Sequence, residues 1–253
     1  MGVFIVSHKK FDLEYSIPDN YRKIFVGSVS QELAVPGDLT DSSGDNIAQL
    51  NSSFCELTAI YWIWKNNEDD YKGIVHYRRL FKSRYRRGLL TNKEIRHCLE
   101  DADIIAPPKY WLLAKTGDHY AKHHDVTDLK ILREAIQKIS PEYLPSFDTS
   151  MQERYVYPYN MFIAKKELFD RYCEWLFSVL FEVQKHVTAK EDAYQNRVYG
   201  FLSERLMNVF IKHHGLKIYE DDIILTDRNW KRDVSMLLAK LLYGNRLIRG
   251  GRS

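Results

Sequence analysis

Short solid runs of apolar residues alternate along this chain with stripes at helical spacing. Residues 4–7 and 23–27 are compact apolar runs, the pattern of strands covered on both faces, with a turn signal at Pro18-Asp19-Asn20 between them. Over residues 51–66, Phe54, Leu57, Tyr61 and Trp64 recur at helical spacing, and Ser53-x-x-Glu56 reads as a capping box at the start of that helix. Residues 71–77 predict a strand with Gly73-Ile74-Val75 as its buried part. Residues 102–106 predict another, stopped by Pro107-Pro108, and residues 160–164 a third, entered through Pro158. Two long amphipathic helices are expected at 168–187 and 202–213. Further strands are expected at 216–219 and 223–225, and a last apolar stripe runs through Val234, Leu237, Leu238, Leu241 and Leu242. Residues 28–50 carry Pro36, Gly37 and Gly44 without clear periodicity and read as a long loop. Residues 111–150 read as a helical insertion over the sheet.

Strands that alternate with helices predict an α/β protein with a mainly parallel sheet flanked by helices. The 253 residues suit one large domain, here 1–226, followed by a basic amphipathic segment, 227–253. Hydrophobic residues at 45% and charged residues at 28% supply a sizeable core and exclude disordered, collagenous and coiled-coil classes. With 37 Lys plus Arg against 34 Asp plus Glu, the charge is too mild to name a nucleic-acid partner. Three scattered cysteines, Cys55, Cys98 and Cys173, argue against a disulfide framework or a zinc site and fit a reduced, cytoplasmic setting. No run reaches the ~18 apolar residues of a membrane span, and the first ten residues read as a buried strand, not a leader.

Candidate chemistry falls in five places. Residues 38–47, with Asp45 and Asn46, lead through Asn51 to a helix N-terminus, where free N–H groups and the helix dipole receive phosphate and where Asp and Asn side chains meet sugar hydroxyls; the same residues are ordinary turn formers. The strand at 71–77 ends in His76-Tyr77-Arg78-Arg79, and ligands of open α/β sheets bind beyond such C-terminal strand ends. Guanidinium groups released there can clamp a diphosphate bidentately, although Arg78 and Arg79 face opposite sides if the strand continues. His119, His123 and His124 lie in the insertion. His119 and His123 have a metal-ligand spacing but lack the Glu of a metalloprotease motif, so substrate contact is the preferred reading. Tyr157 and Asn160, with Tyr120 and Trp111, are candidates for an acceptor platform, against the alternative that aromatic rings fill the core. Glu204, in the first turns of a helix that follows Gly200, is the candidate general base, with His123 or His124 second and a structural ion pair to Arg205 as the competing reading.

Several of these stretches together resemble a known family. Gly44-Asp45-Asn46-Ile47, Glu56-Leu57-Thr58-Ala59-Ile60-Tyr61-Trp62, His76-Tyr77-Arg78-Arg79, Tyr159-Asn160-Met161-Phe162-Ile163 and Ser203-Glu204-Arg205-Leu206 resemble a family from bacterial capsule, exopolysaccharide and O-antigen clusters, long catalogued as a domain of unknown function and now grouped with glycosyltransferases. The likeness covers roughly residues 3–226. It implies a GT-A-like fold and transfer of a sugar from a nucleotide donor to a growing glycan, with UDP-galactopyranose or UDP-galactofuranose as the donors it points to.

Common GT-A enzymes carry an Asp-x-Asp metal motif at a central strand end, and the corresponding place here holds His76-Tyr77-Arg78-Arg79. Fixed positive charge is therefore expected to replace the metal on the leaving diphosphate, with no cofactor required. Asp101-Ala102-Asp103 precedes a strand instead of following one. Asp41, Asp45 and Glu220-Asp221-Asp222 keep a metal alternative open. A different class remains: a non-catalytic RNA-binding or assembly-scaffold protein using the run from Arg78 to Arg87, in which six of ten residues are Lys or Arg. Residues 228–253 hold seven Lys or Arg and one acidic residue, so the last stripe is a candidate for contact with an inner membrane surface or, alternatively, for packing on the core or on a second subunit.

Overall fold

The computed structural model describes residues 2–28, 30–187, 191–225, 234 and 237–244. Eleven strands occur among them: β1 (Gly2–Ser7), β2 (Tyr21–Phe25), β3 (Leu39–Thr40), β4 (Tyr71–His76), β5 (Arg79–Phe81), β6 (Ile104–Ala106), β7 (Tyr110–Trp111), β8 (Tyr155–Val156), β9 (Phe162–Lys165), β10 (Ile218–Glu220) and β11 (Ile223–Leu225). The helices are α1 (Ser30–Leu33), α2 (Asn51–Phe54), α3 (Leu57–Asn66), α4 (Asn92–Asp101), α5 (Thr116–His123), α6 (Val126–Ile139), α7 (Leu144–Gln152), α8 (Lys166–Gln184) and α9 (Val198–His214).

The main sheet runs β10-β6-β9-β4-β1-β2-β3, with β5 on the end of β4 and β11 beside β5. Neighbouring strands are parallel from β4 through β3, and β9 runs antiparallel between β4 and β6. This is the α/β class that the alternation of strands and helices predicts. Both faces are covered, as parallel strands require. Alternate residues of β1 divide between the faces: Phe4 and Val6 join Ile24, Ile74 and Phe162 under α3, α8 and α9, while Val3 and Ile5 join Val75, Ile105 and Ile163 under α4. Lys72 has no exposed surface, and its Nζ donates to Asp170 Oδ1 at 2.6 Å, which ties α8 to β4.

Three departures from the sequence reading place the site. The helix expected over 51–66 is two pieces, broken at Cys55, whose φ is +52°. Glu56 therefore caps nothing, and Ser53 Oγ donates to Leu50 O instead. The strand expected over 71–77 ends at His76, turns, and returns as β5 in a register that pairs His76 with Arg79. The polar stretch 92–101 forms α4, closed by a capping box between Thr91 and Glu94. The expected insertion is present as α5–α7, and the 28–50 loop contains α1, β3 and a single turn at Ala48–Leu50. Of the basic C-terminal segment, residues 227–233, 235–236 and 245–253 lie outside the described residues.

Candidate active site

The C-terminal ends of β1, β2 and β4 open into a cleft of about 560 Å³. Ser7 and His8 enter it from β1, and Val26 from β2. His76 through Arg79 enter from the β4–β5 turn. That tight turn brings both arginines to the same cleft, where a continued strand would have sent them to opposite faces. Arg78 lies over the Tyr77 ring at 5.1 Å and Arg79 over the Tyr159 ring at 4.2 Å, so aromatic faces hold both guanidinium planes. A third guanidinium, Arg197, lines the cleft and donates from Nε to Cys55 Sγ at 3.2 Å.

Two carboxylates share the cleft with these cations, and backbone strain holds both. The break at Cys55 turns Cys55 and Glu56 inward, and Asn51 Nδ2 steadies it by donating to Cys55 O at 2.9 Å and Thr58 Oγ1 at 3.0 Å. Gly27, at φ +89°, lets this arrangement close: a Cβ there would come 2.8 Å from Asn51 Oδ1. Across the cleft, Tyr159 and Asn160 both have positive φ, +76° and +49°. Asn160, only 3% exposed, donates from Nδ2 to Glu56 Oε1 at 2.7 Å and to Gly200 O at 3.2 Å, and accepts from Ser203 Oγ at 2.8 Å. The Tyr159 N–H donates to Glu204 Oε1 at 2.8 Å, and Arg205 Nη1 reaches Glu204 Oε2 at 3.1 Å. Burial pushes the Glu204 carboxyl above its ordinary value, against the pull of Arg205 and that N–H.

Burial disfavours the charged form of both cleft histidines. Burial lowers the pKa of His76, with the Glu56 carboxylate opposing, and burial followed by Arg78 lowers that of His8. His76 Nε2 lies 2.6 Å from the Tyr159 carbonyl, which can only accept, so the proton sits on Nε2.

The other candidates lie elsewhere. Asp45 accepts from the Tyr61 hydroxyl at 3.2 Å, and its backbone pairs with Asn66. Asn46 bonds Gly44 O and the Ala48 N–H, so this pair shapes its own turn outside the cleft. Gly44, at φ +57°, packs so closely that a Cβ would collide with the Asn66 amide. Tyr120 has no exposed surface and bonds Asp128, and Tyr157 is 6% exposed and bonds Glu220. Buried in this way, neither ring presents a face to an acceptor. Asn160 is likewise an internal tie. Trp111 packs on Tyr155 across the β7–β8 pair, away from the cleft. His123 is exposed at the end of α5 and does not line the cleft.

His124 stacks on Phe201 at 4.1 Å, and Phe201 packs on Tyr194 at 5.1 Å. Arg197 sits 5.7 Å from the Phe201 ring, so these rings form an aromatic rim beside the cleft, with Tyr194 55% exposed. His8, Tyr194 and Arg197 carried no sequence signal of their own, and Tyr159 stood only within a stretch shared with the family. The positive-φ backbone that turns Cys55 and Tyr159 toward the cleft is not displayed by sequence.

The acidic alternatives are dispersed. Asp41 is buried and accepts from Thr58 Oγ1 at 2.5 Å, Asp103 accepts from the Lys217 N–H at 2.8 Å, Glu220 pairs with Lys109, and Asp221 faces Arg84. Among the described residues no group of three or more His, Cys, Asp or Glu is placed to hold a metal ion. The cleft brings three guanidinium groups together with two carboxylates already held by N–H donors.

In open α/β sheets ligands bind in the crevice beyond the C-terminal strand ends, and the cationic cleft of this mixed, mainly parallel sheet lies there. The chain belongs to the family described as Domain of unknown function (DUF4422), which matches residues 2–215. It is similar to the apo structure of WbbM, a bifunctional glycosyltransferase, with a TM-score of 0.78 and 27% identity over 89% of this chain and 45% of that one. The chain thus spans less than half the length of that protein. The GT-A-like architecture expected from the family resemblance is present. No curated protein matches. No helix among the described residues is long and apolar enough to cross a membrane.

Proposed function

We propose that this protein is a glycosyltransferase that moves a sugar from a nucleoside diphosphate donor to a glycan acceptor. The observation that carries this reading is the gathering of Arg78, Arg79 and Arg197 around a cleft at the C-terminal ends of parallel strands, with Glu56 and Glu204 in the same cleft. The likeness to a bifunctional glycosyltransferase supports it. Arg78 and Arg79 bind the diphosphate and stabilise the charge that grows on it as the glycosidic bond breaks. On this reading fixed guanidinium charge neutralises the phosphates in place of a divalent ion, and the transfer needs no metal.

Glu204 takes the proton of the acceptor hydroxyl. Its raised pKa brings a carboxylate nearer to the operating pH, where a general base works best. Asn160 fixes Glu56 beside it. Acceptor rings stack on the rim formed by Tyr194 and Phe201, in place of the buried Tyr120 and Tyr157. The family resemblance points to UDP-galactopyranose or UDP-galactofuranose as donor and to a capsular, exopolysaccharide or O-antigen glycan as product, made on the cytoplasmic side.

Transfer from either UDP-sugar to a glycan acceptor, with Glu204→Gln and Glu56→Gln beside the wild type, tests the assignment. Loss of a general base lowers kcat by roughly 10²–10⁴-fold while donor binding is retained. A Glu204→Gln enzyme of undiminished kcat removes Glu204 from the mechanism, and a wild type that transfers from neither donor removes the donor assignment.

A further inference from the structure

Ala239 and Tyr243 lie one helical turn apart and face the body of the protein. Ala239 has no exposed surface, and the Arg154 guanidinium lies 4.3 Å from the Tyr243 ring. The large apolar residues of the same stretch face the other way. Val234, Leu237, Leu238, Leu241 and Leu242 follow the spacing of one helix face and are between 49% and 61% exposed. A helix that packs on its own core buries its leucines; this one docks through its small residue and turns them outward. Leu113, whose carbonyl accepts from the same Arg154, is 48% exposed and extends the apolar surface. Strand β7, with Trp111, packs against the turn at Lys240–Gly244.

Charge decides what covers this face. Residues 228–253 contain seven Lys or Arg and a single acidic residue, Asp233. These charges flank the apolar stripe in sequence on both sides, so joining two copies here would bring two like-charged segments together, whereas an anionic surface would satisfy them. We propose that this face docks on an anionic lipid bilayer, with the leucines in the acyl boundary and the net positive charge of the segment drawing it to the phosphate headgroups. The contact is independent of the chemistry in the cleft.

Co-sedimentation of the full chain with extruded phosphatidylcholine vesicles, with and without phosphatidylglycerol, tests this. Partitioning is expected to be at least about tenfold stronger on the anionic vesicles and to weaken with added salt. Leu237→Glu with Leu241→Glu is expected to reduce it at least about tenfold, because charge replaces the inserted side chains. Thermal unfolding of that exposed-site variant should match wild type, which separates lost docking from lost folding. Equal partitioning of wild type and variant, or equal partitioning on neutral and anionic vesicles, overturns the proposal. So does light scattering that finds a wild-type dimer which the variant converts to monomer, since the leucines would then be covered by a second copy.

Discussion

Replacing Asn160 by Ala probes the link between backbone strain and the cleft. The side chain makes three hydrogen bonds in a buried setting: to the Glu56 carboxylate, to Gly200 O and from Ser203 Oγ. A bond to a charged group is worth about 1.5–3 kcal/mol net, and each neutral one about 0.5–1.5 kcal/mol. Asn tolerates the left-handed region at φ +49°, whereas Ala there costs about 1 kcal/mol more. The sum is a loss of roughly 3.5–7 kcal/mol, a large share of the ~5–15 kcal/mol that holds a typical domain. Urea unfolding at neutral pH measures it. Asn160→Gly removes the same bonds without the backbone penalty and should recover about 1 kcal/mol. At urea concentrations where the variant remains folded, transfer should still be impaired, because Glu56 has lost its tie. A loss below about 1 kcal/mol, with KM for the acceptor raised selectively, would refute the reasoning and return Asn160 to the role of an acceptor contact.

Other outcomes follow from the same structure. Asp221 is buried with its pKa raised to about 6, chiefly by desolvation and against the pull of Arg84. Its neutral form stabilises the fold below the ordinary carboxylate value of 3.8, and that contribution is lost as pH rises through about 6. Asp221→Asn should therefore gain stability over wild type between pH 4 and pH 8, by up to about 3 kcal/mol, read from paired unfolding curves; a constant difference across that range contradicts it. Burial pushes the Cys55 thiol up to about 11 despite Arg197, so alkylation at this site should be slow at neutral pH and speed up about tenfold per pH unit toward that value. Fast labelling at pH 7, read by peptide mass spectrometry, would show that the arginine wins. Gly73→Ala places a methyl 2.6 Å from Ile163 Cγ1 between β4 and β9 and should cost about 1–3 kcal/mol in thermal or urea unfolding; Ile163→Ala in the same chain should restore part of it.

The framework of the fold was legible because its signals are local. The apolar runs of β1 and β4 and the stripes of α8 and α9 depend only on residue order, as does the release of Arg78 and Arg79 at a strand end. Helix α4 escaped because it has only three apolar residues, Ile95, Cys98 and Leu99, which are all buried but too few for a stripe amid polar neighbours, although Thr91 and Glu94 spell its cap. The site was only half legible for a different reason. Its members come from residues 7–8, 55–56, 76–79, 159, 197 and 204, and no local pattern brings those together. Asp45 and Asn46 show the converse: their chemistry suits a sugar, yet Tyr61 and the residues of their own turn occupy it. Glu56 reads as a helix cap in sequence because the break at Cys55 rests on a backbone angle that residue identity does not encode.

The central claim is that guanidinium groups, not a divalent ion, hold the diphosphate. Calorimetric titration of UDP into chelator-treated protein, repeated with added Mn²⁺ and with the Arg78→Ala/Arg79→Ala variant, tests it directly. The account predicts binding that survives the chelator, is little changed by Mn²⁺, and weakens by roughly 10²–10⁴-fold when two charge-assisted contacts are removed. Binding that appears only with Mn²⁺, or that is indifferent to the loss of both arginines, would contradict it.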